Sequence, residues 1–196
     1  MSLEKNVLVD IPKVFHSHAT NTPFSKCMNC DCLLLNTEYV IEKAIRRYKE
    51  FSSTDTIFEY AICMKCHEEF VSAYSASSLN NIQNYFLENA HFDHKRTDLH
   101  ERLKEGYFNI NEWISNCIIK GTHVDDLTEY QIGCQCIGNK MVVLNMPFMI
   151  GHEAMDEIAQ LLSEKTRGEM DRFIDDFFGL PPELKKLLKD SGVLVM

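Results

Sequence analysis

Two pairs of cysteines constrain this chain more than any other feature of its sequence. Cys27 and Cys30 are separated by two residues in "CMNC", and Cys63 and Cys66 repeat that spacing in "CMKC". A Cys-x2-Cys turn places two thiolates on one edge of a tetrahedron, and two such turns complete the four-coordinate shell that Zn2+ prefers. The ion acidifies thiols, so they bind as thiolates at neutral pH. The spacing therefore predicts one zinc ion held by these four cysteines.

The predicted zinc site is structural, because four thiolates close the coordination shell and leave no position for water or substrate. Cys32 and His67 adjoin the two pairs, and either could replace a pair member. An iron–sulfur cluster also takes four thiolates, but the chain has no proline-flanked ferredoxin run. The remaining alternative is a set of buried free cysteines, since cysteine is among the most buried residue types.

The second cysteine pair is predicted to lie between a strand and a helix. "TIFEYAI" is rich in β-branched and aromatic residues and leads into Cys63, and a helical pattern follows Cys66. Over residues 26–75 this order resembles the treble-clef and zinc-ribbon class, in which one ligand pair lies at the start of a helix. The long gap between the pairs departs from the usual short version. It predicts a helix of its own over residues 36–51, with apolar residues at helical spacing: Val40, Ile41, Ala44, Ile45, Tyr48 and Phe51.

The chain is predicted to be an α+β protein in which a treble-clef/zinc-ribbon-like four-cysteine module with long helices precedes a β-hairpin and C-terminal amphipathic helices. We divide it into an N-terminal arm (1–25), the zinc module (26–105) and a C-terminal part (106–196). Within the zinc module, apolar residues at helical spacing lie on both sides of "SASS", which is predicted as a break between them. "KRTDLHERLKEG" predicts another helix. "NINEWISNCIIKG" predicts the first helix of the C-terminal part, with Asn109 or Asn111 as its cap. The remaining predicted elements are a hairpin over about 129–146, with Gly138-Asn139 as its turn, and helices over about 152–165, 168–178 and 181–190. We find no internal repeat.

Composition and charge narrow the classes of partner. The 196 residues include 20 basic and 29 acidic ones, for a net charge of −9. Nucleic-acid binding needs a basic surface that displaces counterions, so it is not expected. No secretory signal opens the chain and no run of 18 apolar residues occurs, which favours a cytoplasmic protein without a membrane segment. In that reducing compartment, paired cysteines are metal ligands more often than disulfides.

Two weaker groups of residues keep other chemistry open. Cys134 and Cys136 in "GCQCIG" lie on one face of a predicted strand, and Cys117 and His123 precede them. They could form a second metal site or a reactive dithiol, although packing of small side chains is the interpretation we favour.

The second weak group is His91 and His94, which share one face of a predicted helix. With Glu88, His91 has the Glu-x-x-His spacing of di-iron bundles, but the chain offers no second copy of it.

We expect a soluble intracellular zinc-binding protein with a binding or scaffold role, acting as a homodimer or with a protein partner, and we favour a non-enzymatic function. The alternative is a metal-dependent enzyme or redox sensor that uses His91 and His94 or the Cys134–Cys136 pair.

Overall fold

The protein is a mixed α/β structure built on an antiparallel sheet. The computed structural model describes residues 7–90, 92, 102, 109–143 and 146–179. Within them the strands are β1 (Val7–Asp10), β2 (Glu38–Tyr48), β3 (Ser53–Cys63), β4 (Glu129–Ile137), β5 (Lys140–Val143) and β6 (Phe148–Gly151). The helices are α1 (Met64–Ser72), α2 (Ala76–Asn89), α3 (Ile110–Trp113), α4 (His152–Gln160) and α5 (Glu164–Phe178). Short 3-10 turns occupy Lys13–Phe15, Leu34–Asn36, Lys49–Phe51 and Val124–Asp126.

The sheet has the order β1-β5-β4-β2-β3, and β6 also pairs with β4. The central pair, β2 with β4, runs from Glu38↔Ile137 to Arg46↔Glu129. On the other edge of β4, β6 pairs with its first half and β5 with its last residues. One continuous sheet therefore joins the N-terminal and C-terminal halves of the chain, while the predicted boundary at residue 105/106 stays a prediction.

Helices cover one face of this sheet. Tyr60 on β3 contacts Phe173 and Phe178 of α5, and Phe173 in turn lies 4.6 Å, ring to ring, from Phe70 of α1. Aromatic side chains bury large apolar areas, at roughly 25 cal/mol per Å² removed from water. Packing between β3, α1 and α5 is therefore a main source of stability on this face.

A carboxylate is buried on the same face. Glu42 of β2 lies opposite Tyr60, and its Oε2 accepts hydrogen bonds from the Tyr60 hydroxyl and, at 3.0 Å, from Gln131 Nε2 of β4. Burial, followed by the charge of Glu42, raises the pKa of Tyr60 well above its ordinary value, so its phenol stays protonated and can donate. A buried carboxylate must be hydrogen-bonded, and this one links three adjacent strands.

The helix predicted over residues 36–51 is wrong. The segment is instead strand β2, which is as long as β3, and its residues from Tyr39 to Ile45 are all buried. A strand that is covered on both faces carries apolar residues at nearly every position, so some of them match helical spacing by coincidence. The β-branched and aromatic content of this stretch was the better indicator.

Several other predicted elements are confirmed. β3 is the strand leading into Cys63, and Ser75 caps α2 at the predicted break by accepting the N–H of Ser78. The predicted hairpin turn is confirmed too, with Gly138 at φ +58°, a conformation that glycine adopts at little cost. Helices were also predicted over 152–165 and 168–178. In the structure, α4 ends before the predicted end, at Gln160, and α5 begins before the predicted start, at Glu164.

The helix predicted over residues 109–121 is much shorter in the structure. Only Ile110–Trp113 is helical, with Asn109 as its cap, and the residues that follow form a tight turn. The predicted helix over 181–190 lies outside the described residues, as does the one over 95–106 except for Arg102.

The chain contains the same order of elements twice, although no internal repeat was predicted from its sequence. We define the first module as residues 25–89 and the second module as residues 115–178. Each begins with a tight turn and a 3-10 turn, continues through antiparallel strands, and ends with two consecutive helices. In the second module β5 and β6 together take the place of the single long strand β3.

Matching backbone hydrogen bonds establish this equivalence. The first turn closes with Cys27 N–H to Cys32 O, Asp31 N–H to Cys27 O and Leu34 N–H to Ser25 O. The second closes with Cys117 N–H to Thr122 O, Gly121 N–H to Cys117 O and Val124 N–H to Ser115 O. Positive φ angles recur at Asp31 (+57°) and Gly121 (+70°). Strand register repeats as well, since Tyr39 pairs with Cys63 and Tyr130 pairs with Gly151.

The two modules meet across an approximate twofold axis. In the sheet, the pairs Ile41↔Cys134 and Lys43↔Ile132 flank the central pair Glu42↔Gly133 symmetrically.

Between the helices the exchange is reciprocal. Ser75 N–H donates to Thr166 Oγ1 at 3.0 Å, and Ser163 N–H donates to Ser78 Oγ at 2.9 Å. We call these four residues the serine cluster. The chain is thus arranged like a dimer of two similar modules in one polypeptide.

Candidate metal centre

Four thiols converge at one end of the first module. The Sγ atoms of Cys27, Cys30, Cys63 and Cys66 all lie within 4.8 Å of one another, and Cys30 and Cys63 are 3.8 Å apart. Tetrahedral zinc with Zn–S bonds of about 2.3 Å separates its sulfur ligands by about 3.8 Å. The group could therefore hold one metal ion with little rearrangement.

A tight turn and a strand–helix junction position the thiols. The turn at residues 27–32 presents Cys27 and Cys30, and its last bend requires the positive φ of Asp31. Cys63 ends β3 and is also the N-terminal cap residue of α1, which places Cys66 in the first helical turn. The N-terminus of a helix carries a partial positive charge that favours thiolates.

The electrostatics of the group favour at least one thiolate. The backbone N–H and then the side chain of Cys32 lower the pKa of the exposed Cys30 to about 6. Burial raises the pKa of Cys66. Cys27 is fully buried, and its Sγ accepts the N–H of Cys63 at 3.4 Å. The group combines a solvent-facing thiol with three buried ones, so an ion could enter from the Cys30 side.

Cys32 and His67 are not members of the four-thiol group. Cys32 is half-buried beside it, and a side-chain hydrogen bond with Cys30, followed by burial, raises its pKa to about 12. His67 instead lines a separate apolar cavity of about 140 Å³ with residues such as Tyr74 and Ile82. The structure therefore groups Cys27, Cys30, Cys63 and Cys66 and leaves both neighbours outside.

Cys134 and Cys136 lie together but away from other metal-ligating side chains. Their Sγ atoms are 3.7 Å apart, both residues are fully buried, and burial raises the pKa of Cys134 well above its ordinary value. Within the described ranges, neither they nor Cys117 and His123 belong to any cluster of three or more residues able to hold an ion. A buried, protonated thiol is a poor nucleophile. His91 and His94, the other alternative site, lie outside the described residues.

A cleft next to the metal centre was not predicted from the sequence. It has a volume of about 170 Å³, and Cys66 forms part of its wall. Its other walls include three phenylalanines and three carboxylates: Phe70, Phe173, Phe177, Glu69, Glu169 and Asp176. These come from α1 and α5, about a hundred residues apart in the chain, so only the tertiary structure brings them together.

None of the described helices has both the length and the apolar composition needed to cross a bilayer. No protein family, curated protein or solved structure matches the chain significantly.

Proposed function

We propose that the chain is an intracellular zinc-binding protein whose single ion is structural, and that its role is to bind or scaffold a protein partner. The convergence of four thiols within 4.8 Å carries this proposal. Zinc fits best, because its closed-shell ion accepts a tetrahedron of thiolates without a preferred distortion. Both ligand pairs would then have the treble-clef-like arrangement, one in a turn and one at a helix start.

The structural role follows from the ligand count. Four protein thiolates leave no open position for water or substrate, which zinc needs for hydrolytic chemistry. The ion would join the turn at residues 27–32 to the junction of β3 and α1. Such a link adds to folding stability, because the free energy of metal binding is released only in the folded state.

The cleft beside Cys66 supports the binding role. Its phenylalanine walls offer apolar contact area, and the carboxylates at Glu69, Glu169 and Asp176 outnumber the single guanidinium of Arg172. The chain as a whole carries a net charge of −9. A protein segment with basic and apolar side chains would complement this surface, whereas a nucleic acid would be repelled.

Metal analysis tests the structural site. We expect one zinc per chain by mass spectrometry of the purified protein. After replacement by Co2+, the absorption bands of a tetrahedral four-thiolate site should not change on addition of azide or imidazole, because no position is open to them. A shift of those bands would show an exchangeable ligand and contradict the structural role. Two metal ions, or iron with visible absorbance, would favour the alternative of an enzyme or redox sensor.

The double variant Cys27→Ser/Cys63→Ser tests the ligand assignment. It removes one ligand from each pair, so we expect loss of stoichiometric zinc and a lower melting temperature. Cys32→Ser is the matched control, since this thiol lies next to the group without belonging to it, and it should keep one zinc. Retention of zinc and of the melting temperature by the double variant would refute the assignment.

The partner is the open part of the proposal, and a second copy of the chain is one candidate. Sedimentation equilibrium between about 1 and 100 μM protein distinguishes a homodimer from a monomer that needs another protein. A monomer over this range would leave only a heterologous partner. Binding of a basic, apolar peptide that is lost on Asp176→Lys, a change in the cleft wall, would support the cleft as its site.

A further inference from the structure

We propose that the second module contains the backbone of a second metal site, at residues 117, 120, 151 and 154, in which side-chain packing takes the place of the ion. The site would take a soft divalent cation such as zinc once its missing thiols were supplied. In the native protein, the first module depends on metal and the second does not.

The backbone around Cys117 matches the backbone around Cys27. In the first module, Met28 N–H donates to Ala61 O at 2.9 Å, and Cys63 N–H donates to Cys27 Sγ at 3.4 Å. In the second module, Ile118 N–H donates to Met149 O at 2.9 Å, and Gly151 N–H donates to Cys117 Sγ at 3.4 Å. The same correspondence places Lys120 at the position of Cys30, Gly151 at that of Cys63 and Ala154 at that of Cys66.

The helices confirm the alignment of the second ligand pair. Cys63 is the cap residue of α1, and Gly151 is the cap residue of α4, both with extended backbone. Each of these helices has nine residues and is followed by a serine-capped helix, α2 or α5. The third residue after each cap, Cys66 or Ala154, therefore occupies the same place in its first helical turn.

Three of the four ligand positions in the second module carry residues other than cysteine. A Cβ on Gly151 would lie 2.8 Å from a methyl carbon of Leu127, so Leu127 fills the volume that the thiol at the Cys63 position takes in the first module. Leu127 and Ala154 are almost completely buried. Lys120 directs its ammonium to Glu157. Of the four ligand positions only Cys117 carries a thiol, so this module is stabilised by apolar packing and binds no ion of its own.

This difference gives the second module a role in assembling the first. The modules share the β2–β4 pair and the serine cluster, so the second module offers a preformed edge and helix contacts to its metal-dependent counterpart. Removing the ion should loosen the turn at 27–32 and the start of α1. The corresponding turn at 117–122 and the start of α4 should remain folded.

Hydrogen exchange on the unaltered protein tests this division directly. Chelation of the ion should raise exchange of the amides of Cys27, Asp31 and Leu34 at least tenfold, and change exchange of the amides of Cys117 and Gly121 less than twofold. Equal loss of protection in both modules would overturn the proposal. These amides make equivalent backbone hydrogen bonds in the two turns.

Introducing thiols at the three positions that lack them tests whether the backbone of the second module can hold an ion. The variant Lys120→Cys/Leu127→Thr/Gly151→Cys/Ala154→Cys supplies three thiols and replaces Leu127 with threonine, the residue that follows the 3-10 turn in the first module. We expect two zinc ions per chain in place of one.

The control Lys120→Cys/Leu127→Thr has two thiols at the second site and should keep one zinc. A folded four-substitution variant with only one zinc would overturn the proposal. Should that variant fail to fold, the hydrogen-exchange comparison decides. Absence of zinc from the native protein as well would instead point to failure of the first site, so the two failures are distinguishable.

Discussion

Lys43 and Glu59 form an ion pair whose loss should destabilise the protein strongly. Lys43 lies on β2, opposite Glu59 on β3, and its Nζ is 2.9 Å from Glu59 Oε2. The two side chains are only 7% and 14% exposed. Lys43 also donates to the carbonyl of His16 at 2.7 Å, while Ser17 Oγ and the N–H of His18 donate to Glu59 Oε1. This pair therefore attaches the arm around residues 16–18 to the sheet.

We expect Lys43→Met to lower the free energy of unfolding by about 3 kcal/mol at pH 7. Removing one member of a buried pair costs about 3–5 kcal/mol, because the remaining charge stays buried without a counterion. The lower end applies here, since Glu59 keeps two hydrogen-bond donors. Lys140→Met is the matched control. Lys140 pairs with Asp10, and because the two side chains are 42% and 89% exposed, we expect a loss below about 1 kcal/mol.

The pH dependence has a defined sign. Burial raises the pKa of Glu59, but the hydrogen bond and charge of Lys43, together with Ser17 and His18, outweigh burial and hold it below its ordinary value. The carboxylate therefore stabilises the native protein above the unfolded pKa of about 4.3, and this contribution is lost as the pH falls through the lower folded value. Without Lys43 the folded pKa of Glu59 rises. The free energies of unfolding of the wild-type protein and of Lys43→Met should therefore converge between about pH 5 and pH 3.

Urea denaturation followed by circular dichroism at pH 7, 5 and 3 measures both effects. A loss below 1 kcal/mol at pH 7 would show that the ion pair contributes little. A stability difference that stayed constant as the pH fell would show that the charge of Glu59 is not the cause.

Three other predictions concern parts of the chain away from the ion pair. Cys134→Ala/Cys136→Ala should keep one zinc and lose on the order of 1–3 kcal/mol of stability, because it truncates two small buried side chains; release of metal, or rapid reaction of these thiols with a thiol reagent in the folded state, would contradict packing. Ser78→Ala should cost about 1–2 kcal/mol in chemical denaturation, since it leaves the partly buried N–H of Ser163 without its acceptor, whereas Ser77→Ala at an exposed neighbour should cost less than about 0.5 kcal/mol. Duplex DNA should not bind at physiological salt in a fluorescence titration, because an acidic protein gains little from counterion release; sub-micromolar, salt-sensitive binding would refute this.

Local spacing was enough to identify the candidate metal centre. A Cys-x2-Cys turn brings two thiols together whatever surrounds it, and a strand followed by a helix positions the second pair in the same way. The Asn109 cap and the Gly138 turn were equally accessible, because they act through hydrogen bonds or φ angles within a few residues. At "SASS" only a break was predicted, and the structure has the Ser75 cap there. For these features the sequence neighbours are also the spatial neighbours.

The long strand β2 was misassigned because the apolar pattern of a segment buried on both faces indicates burial and does not identify its conformation. Its residues are buried on both sides by helices, the N-terminal arm and neighbouring strands, and no alternation remains to distinguish a strand from a helix. The choice between the two depends on the partners β3 and β4, and β4 lies about ninety residues further along the chain.

The repeat left only faint marks in the sequence. "TEYVI" at 37–41 and "TEYQI" at 128–132 share four residues, and Cys117 corresponds to Cys27. The rest of the second module keeps its backbone with different side chains, because main-chain hydrogen bonds and apolar packing tolerate many sequences.

By itself, then, the sequence determined which four cysteines could share a metal ion and where some helix caps and turns lie, since these depend on chemistry within a few residues. Only the tertiary structure decided the pairing of β2 with β4, the twofold relation of the modules, and the cleft between α1 and α5. Each of these depends on contacts between residues about ninety or more positions apart, whose free energy no local pattern encodes.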